Sequence, residues 1–212
     1  MPEIVEHLVI FKIKPDVDPA ELPAMVDSLN SLAGLDGVLH LAAGPLINCR
    51  STSLNFTHIL HSRFASKEDM DKFYQDPDHH VVINQTKPFF EDLMAVDWVH
   101  STDSVSIPPG SSMRATIFKL KGDLGDDEKS QLLEALGLLK DKSSSSIEVH
   151  SFGENNTPAR AKGFSVPVIT VFKDVNELEG FDSEWESPEN EHRHLVIKPK
   201  VDEELVLDVV FP

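Results

Sequence analysis

Apolar residues in the first half of the chain recur with two periods, one typical of strands and one typical of helices. In order, the spacing predicts a strand over 4–13, a helix from Asp18 to about Gly34, strands over 38–47 and 54–64, a helical stretch from Ser66 to about Asp92 interrupted at Pro77, and a strand over 94–99. Capping residues and prolines at the helix starts support these limits. The order is βαββαβ, that of a ferredoxin-like unit.

The second half repeats this pattern. Val9–Lys14 returns as Thr116–Lys121, and Pro77–Asp97 is echoed by Pro188–Asp208. The predicted elements are a strand over 113–121, a helix over 127–140, strands over 147–152 and 165–173, helices over 175–186 and 189–200, and a strand over 205–211. A repeat of about a hundred residues is too long for a solenoid and indicates that a small domain was duplicated.

Each predicted sheet is apolar on both faces, as Leu8 and Ile10 on one face and Val9 and Phe11 on the other illustrate. Helices can cover only one of these faces, so the other must be buried elsewhere. We therefore predict an α+β fold in which two ferredoxin-like units pack sheet to sheet as a pseudo-dimeric α+β barrel. The units span residues 1–100 and 113–212, and an exposed linker rich in serine and proline covers 101–112.

Composition narrows the classes of partner and the compartment. The net charge of −17, from 36 acidic and 19 basic residues, argues against nucleic acid and anionic membranes as partners. No apolar run approaches the ~20 residues that span a bilayer, and the N-terminus lacks the basic stretch of a secretory signal. The single cysteine, Cys49, fits a reducing compartment. We expect a cytoplasmic protein, unless a targeting segment is missing from this sequence.

Two segments carry a resemblance to a known family. Glu6–Lys14 resembles the opening strand of the stress-responsive dimeric α+β barrel (Dabb) family, and Phe73, Pro77 and His79 together with Glu91–Trp98 resemble its closing motif. Most members have one unit and dimerise into a barrel, so the resemblance implies that this chain forms the barrel within one molecule. Tandem plant members are implicated in stress response and in defence against fungi and bacteria.

One branch of the family is catalytic and includes the plant cyclase that makes olivetolic acid. By resemblance, His79 is the general base, Asp97 orients it, and His7 lines the pocket. An imidazole paired with a carboxylate can remove a proton α to a carbonyl in a closed cavity. Phe73 stands where the cyclase has a tyrosine, so the assisting hydroxyl is missing from that position. We still assign the Phe73 ring to the ligand cavity.

Each of these residues also has a structural interpretation. His7 could be a hydrogen-bonded histidine of the barrel, and His79 could cap a helix. Asp97 needs a partner if it is buried, and we expect that partner to be His79. His58 and His61 have opposite parity on one strand; we assign His58 to the ligand cavity and expect one of the two to lie at the surface.

The resemblance also implies a metal site, since some members bind Mg²⁺ through backbone carbonyls, which here would be those of Leu32, Leu35 and Val38. No cofactor is required by the predicted chemistry. His192 and His194 do not have ligand spacing on one helix face, and Cys49 has no basic neighbours that would activate its thiol.

The second unit lacks the histidines of the first. Arg114 stands in place of His7, Asn190 in place of His79, and Asp208 in place of Asp97. The sequence therefore predicts a stress or defence protein with an implied antifungal role, without catalysis, that holds a small apolar ligand in its first unit. The alternatives are a cyclase or lyase using His79 and Asp97, and a purely structural interaction protein. A homodimer of the whole chain is compatible with each.

Overall fold

A computed structural model of the chain describes residues 3–102, 106–143 and 146–211. The first unit contains β1 (Glu3–Ile13), α1 (Leu22–Ser31), β2 (Val38–Arg50), β3 (His58–Phe64), α2 (Lys67–Gln75), α3 (Pro77–Thr86) and β4 (Phe90–Ser101). The second unit contains β5 (Ser112–Leu120), α4 (Asp126–Gly137), α5 (Leu139–Lys142), β6 (Ile147–Phe152), β7 (Val166–Phe172), α6 (Val175–Glu186) and β8 (Val201–Val210). The predicted tandem βαββαβ order is confirmed.

Side-chain caps set the starts of three of these helices. The Ser66 side chain accepts a hydrogen bond from the backbone N–H of Asp69, and Asp174 does the same for Asn176 and Glu177. Asp76 caps α3, and Pro77 then occupies its first turn, where a missing N–H costs nothing. The break between α2 and α3 brings the end of one helix and the start of the next to the same place above the sheet.

All eight strands form one antiparallel sheet in the order β4-β1-β3-β2-β8-β5-β7-β6. The two units join where β2 pairs with β8, with Asn48 opposite Asp208. The outer strands β4 and β6 then meet, since the Trp98 indole N–H donates to Ser151 Oγ at 3.0 Å. The sheet thus curls back on itself, as the predicted sheet-to-sheet packing requires.

Three apolar cores follow from this curvature. Leu8, Ile10, Met113 and Ile117 belong to a central core between the two halves of the sheet. The opposite strand faces pack under the helices, with Phe11 in the first unit and Phe118 in the second. The two apolar faces of β1 are therefore buried in different cores, as the sequence predicts.

Several limits differ from those predicted. The helical stretch of the first unit does not run to Asp92, because a short 3₁₀ turn at Lys87–Phe89 precedes β4, which already begins at Phe90. An α-helix over 189–200 is wrong: the chain forms a π-helix over Arg193–Ile197 and a 3₁₀ turn over Lys198–Lys200. Each 3₁₀ turn holds a proline, which cannot continue an α-helix.

The predicted linker is less exposed than expected. Thr102, Ile107, Ser111 and Ser112 are buried, and Ile107 belongs to the central core. Residues 103–105 of this linker and residues 144–145 of the serine run before β6 lie outside the described part of the chain. Within the described ranges, no helix is long and apolar enough to cross a membrane.

Candidate functional site

The centre of the candidate site is a pair formed by His7 and Asp97. These residues are directly opposite each other on the paired strands β1 and β4, and His7 Nδ1 lies 2.5 Å from Asp97 Oδ1. Both side chains are 3% exposed. The expected pairing of Asp97 with His79 is therefore wrong, because the strand register gives the carboxylate a nearer imidazole.

Burial and the neighbouring charges have opposite effects on the pKa of the Asp97 carboxyl group. Burial alone would raise the pKa of Asp97, but the hydrogen bond and charge of His7, together with the charge of Arg160, hold it below its usual value. An ionised carboxylate can only accept, so Nδ1 of His7 carries the proton in this pair. In the neutral ring, Nε2 is then left as an acceptor.

Tyr74 supplies the donor for that ring. Its hydroxyl oxygen, at the end of α2, lies 3.1 Å from Nδ1 and 3.3 Å from Nε2 of His7. Burial first, and then the charge of Asp97, raise the pKa of Tyr74 to about 12. The phenol is therefore protonated at neutral pH and can donate to His7.

The sequence comparison overlooked Tyr74 because the family motif aligns with the preceding residue. Phe73 is buried, and its ring contacts Phe64 at a centroid distance of 5.1 Å. A hydroxyl does reach the cluster, however, because the next residue in the chain, Tyr74, places its own beside His7. Tyr74 is the single tyrosine of the chain, which was an available signal.

His79 lies beside this group in the first turn of α3. Its ring centroid is 4.6 Å from that of Phe73 and 5.7 Å from that of Tyr74. Its Nδ1 is buried without a hydrogen bond of good geometry among the described residues. Burial, followed by the charges of His80 and His7, lowers the pKa of His79, so its ring is neutral at physiological pH.

The second unit contributes a loop to this site. Between β6 and β7, the Asn156 backbone N–H donates to the Asp97 carbonyl at 2.7 Å, and the Asp97 N–H donates to Asn155 Oδ1 at 3.1 Å. From the same loop, Arg160 Nη1 donates to the Tyr74 hydroxyl at 3.3 Å. Only the fold shows that residues 153–163, between β6 and β7, contact the first unit.

His58 is not part of the cluster. It faces Phe11 across the β1–β3 ladder, four positions along β1 from His7, and its ring stacks on Phe11 at 6.2 Å. His58 and His61 do point to opposite faces, but both are buried, so the expectation that one lies at the surface is wrong. Both faces of β3 are covered, one by helices and one by the central core.

His61 belongs to a separate charged cluster inside the barrel. His61 Nε2 and Arg63 Nη2 each lie 2.7 Å from a carboxylate oxygen of Glu6. Burial alone would raise the pKa of Glu6, but His61 and Arg63 hold it at about 2. His40 is nearby, and burial, followed by the charges of His61 and Arg63, lowers its pKa to about 3.

In the second unit, salt bridges fill the equivalent place. Arg114 is opposite Asp208 in the β5–β8 ladder, as His7 is opposite Asp97 in the first unit. Its Nε and Nη2 donate to Asp208 at 2.7 and 2.9 Å, and its Nη1 donates to Asp182 at 2.5 Å. Asn190 instead donates to the carbonyl of Glu184. This half keeps the carboxylate but carries no histidine beside it.

The first unit also has an open groove of about 820 Å³. It lies between α3 and the start of β4, and Ile83, Phe90 and Leu93 form part of its wall. Ile83 is one helical turn beyond His79, and Leu93 shares a strand face with Asp97. The two walls therefore belong to the elements that carry His79 and Asp97, although none of His7, Tyr74, His79 and Asp97 lines the groove itself.

The predicted magnesium ligands lie at the end of α1. The carbonyls of Leu32 and Leu35 accept backbone hydrogen bonds from Leu35 and Val38 at 3.2 and 3.3 Å. These bonds close the turn and use one lone pair of each carbonyl, so an ion would have to share those oxygens. Among the described residues, no group of three or more His, Cys, Asp or Glu side chains could hold a metal. The magnesium site stays a prediction, and no chemistry is assigned to it.

Comparison with known proteins gives a consistent identification. The family model "Stress responsive A/B Barrel Domain" (Dabb) matches residues 5–100 and 113–211. One stress-response A/B barrel domain-containing protein of Arabidopsis thaliana is 39% identical over 99% of this chain and 80% of its own length. A second protein of that description, from the same plant, is 35% identical over 100% of this chain and 99% of its own length.

A solved structure extends the likeness in fold. A candidate monooxygenase from Fusobacterium nucleatum superposes with a TM-score of 0.69, covering 98% of this chain and 92% of its own. It is 11% identical in sequence, so the likeness concerns the fold alone. With two family segments spanning nearly all of its length and two curated relatives above 30% identity, the chain belongs to the stress-responsive A/B barrel (Dabb) family.

Proposed function

We propose that this chain is a non-catalytic stress-response protein that binds a small, largely apolar molecule in its first unit. The observation that carries the proposal is the difference between the two equivalent sites. In the second unit, Arg114 and Asp208 neutralise each other. In the first, His79 keeps a neutral ring at the edge of the cluster. A ligand can gain hydrogen bonds there without breaking a salt bridge.

The groove between α3 and β4 supports an apolar ligand. Its volume of about 820 Å³ lies within the range of known small-molecule sites. Leu93 on its wall is 42% exposed, which is a high fraction for a large apolar side chain on a strand. A molecule with an apolar body in the groove and one polar group directed toward His79 would cover this exposed apolar surface.

The contacts of His7 favour binding over catalysis. Its imidazole is 3% exposed and already contacts both Asp97 and Tyr74, so it offers no open position for a substrate proton. The protonated form of the His79 ring is poorly stabilised, because Asp97 is engaged by His7, and the charge of Asp76 is outweighed by burial and by the charges of His80 and His7. A general base needs such stabilisation to hold a proton during turnover.

An enzyme of the cyclase or lyase type is the second candidate. The Tyr74 hydroxyl favours it, because it is a protonated donor directly beside two histidines. In that mechanism His79 would take a proton next to a carbonyl group, and Tyr74 would donate to the oxygen on which negative charge develops. The ligand would have to displace Tyr74 from His7 for this donation to occur.

A thermal-shift screen with small aromatic and polyketide-like molecules tests the proposal. Molecules that raise the melting temperature of the wild type should do so much less in His79→Ala. The matched control is His80→Ala, which removes the exposed neighbour in the same helical turn. Equal stabilisation of both variants would place binding elsewhere. Consumption of a stabilising molecule by the wild type, lost in His79→Ala, would establish the enzyme instead.

A defence role is part of the proposal and rests on the family resemblance. The charge of −17 disfavours the cationic mode of membrane disruption, so ligand capture is the proposed route to any antifungal action. Growth of fungi with purified folded protein tests it, since unchanged growth over a wide concentration range would argue against direct action. A cytoplasmic location and the absence of nucleic-acid partners are proposed on the same charge and on the single cysteine.

A further inference from the structure

Arg160 links the two units at the candidate site. It belongs to the second unit, yet its Nη1 donates to the Tyr74 hydroxyl at 3.3 Å and its guanidinium carbon lies 5.9 Å from the centroid of the Tyr74 ring. The residue is exposed, so most of its five N–H donors face solvent.

The second unit shows what an arginine in this place does when a carboxylate is present. Arg50, at the end of β2 in the first unit, crosses to the second unit and grips Asp182 of α6 with Nη2 at 2.6 Å and Nη1 at 3.0 Å. Asp182 also accepts from Arg114, the counterpart of His7. The same carboxylate is therefore held from two sides, once by each unit.

Tyr74 holds the position of Asp182 in the first unit. Both residues come eight positions after the residue that caps their helix, Ser66 and Asp174 respectively. Each touches the residue at the centre of its site and an arginine from the opposite unit. Because a phenol replaces the carboxylate, Arg160 forms no salt bridge among the described residues of the kind that Arg50 forms with Asp182, although its charge does act on Asp97.

We propose that Arg160 binds a carboxylate on the ligand of the first unit, so that the ligand supplies the anion that Asp182 supplies in the second. The proposal rests on the ligand-binding function proposed above and narrows its ligand to small apolar carboxylic acids. An arginine can hold a carboxylate through two parallel hydrogen bonds. The ligand's apolar body then occupies the α3–β4 groove, and its carboxylate lies beside Tyr74.

The loop that carries Arg160 is anchored on both sides of it. Before Arg160, the loop is tied to the backbone of Asp97 by Asn155 and Asn156. After it, Lys162 Nζ lies 2.7 Å from Asp92 Oδ1 on β4. These anchors hold Arg160 beside the first unit. Because the ammonium group of Lys162 is already paired with Asp92, Arg160 is the cation of this loop that we expect to bind the ligand's carboxylate.

A matched pair of probes tests the proposal: 4-butylbenzoate and its uncharged isostere 4-butylbenzamide, with dissociation constants measured by calorimetry. The wild type should prefer the benzoate. Arg160→Gln should weaken benzoate binding about tenfold or more and leave benzamide binding within about twofold. Arg160→Lys should fall between the two, because it keeps the charge without the two-pronged geometry.

Arg50→Gln is the matched control. It removes the arginine that the first unit contributes to the second unit's site, and it should leave the preference for the benzoate unchanged. Circular dichroism spectra verify that each variant is folded. If both probes bind equally and Arg160→Gln changes neither, the carboxylate proposal fails while ligand binding stands. If neither probe binds the folded wild type, the carboxylate proposal is overturned for aromatic acids, and the broader screen with His79→Ala decides the proposed function separately.

Discussion

Tyr74 and Asp182 occupy equivalent positions in the two units, and each contacts the central residue of its site, His7 or Arg114. The replacement of a carboxylate by a phenol accompanies the replacement of an arginine by a histidine. In the second unit this yields a network of buried ion pairs. In the first it yields hydrogen bonds that join His7 to Asp97 and to Tyr74.

The ion pairs of the second unit should be structurally important. Arg114→Ala leaves Asp208 buried at 3% exposure without its cation, so we expect a loss of about 3–5 kcal/mol in the free energy of unfolding. Urea denaturation of the wild type and of the variant measures this loss. Arg50→Ala removes a side chain that is 36% exposed and should cost no more than about 1 kcal/mol. Equal losses in the two variants would show that burial does not govern these pairs.

The single tyrosine gives a direct optical test of the site. Burial and the charge of Asp97 raise the pKa of Tyr74 to about 12, against 10.0 for an unperturbed phenol. We expect no tyrosinate absorbance in the folded protein near pH 10, and a step there in protein unfolded by urea. If alkali unfolds the chain first, the absorbance step should coincide with loss of the circular dichroism signal. Ionisation near pH 10 with the fold intact would contradict the buried phenol.

Acid should destabilise the second unit through His150. Burial lowers the pKa of His150 from 6.5 to about 4. Because the folded-state pKa lies below the unfolded value, the unfolded chain binds more protons between these limits, and the free energy of unfolding falls as pH drops from 6.5 towards 4. The contribution of this group is at most about 3 kcal/mol.

His150→Gln tests this dependence. Gln can still meet the Leu136 carbonyl, which now lies 2.9 Å from His150 Nε2, but it cannot be protonated. The variant should therefore lose less stability between neutral and mildly acidic pH than the wild type does, as measured by urea denaturation at a series of pH values. His194→Gln is the control, because it makes the same substitution at a histidine elsewhere in the second unit. That ring lies in the π-helix and contacts the Ser187 carbonyl instead. Parallel pH profiles for the wild type and His150→Gln would refute the assignment.

The groove should contribute to ligand binding without contributing to stability. Leu93→Lys places a charge on a groove wall that is 42% exposed, so the free energy of unfolding should change by less than about 0.5 kcal/mol. Molecules that stabilise the wild type in the thermal-shift screen should bind this variant about tenfold or more weakly. Leu195→Lys, at an exposed apolar position of the second unit, is the control and should keep the wild-type affinity.

The fold was predictable from the sequence because its causes are local or repetitive. Strand alternation and helix caps such as Ser66 and Asp174 mark the elements, and the two apolar faces of β1 imply the sheet-to-sheet packing. The region after Pro188 was mispredicted because helical spacing there competes with Pro199 and with the buried Arg193, which reaches Glu204 on β8. Contacts of that kind outweigh local preference.

The site was predictable only in part. His7, His79 and Asp97 do lie close together, but the His7–Asp97 pair depends on the register of β1 against β4, which the sequence leaves open. Tyr74 was missed by one position because the family motif, rather than a helix face, was used to place the hydroxyl. No sequence pattern indicated that Arg160 belongs to the site. It lies in a loop of ordinary composition, 86 residues along the chain from Tyr74, and only the fold brings the two together.

The central claim is that ligand binding belongs to the first unit and that the second unit's equivalent site is closed by its own ion pairs. A crystal structure with the strongest-binding molecule from the screen tests this most directly. The account predicts ligand density between α3 and β4, with a polar group within hydrogen-bonding distance of His79 or Tyr74 and with the Arg114–Asp208 pair intact. Density beside Arg114, or in the central core between the two halves of the sheet, would contradict it.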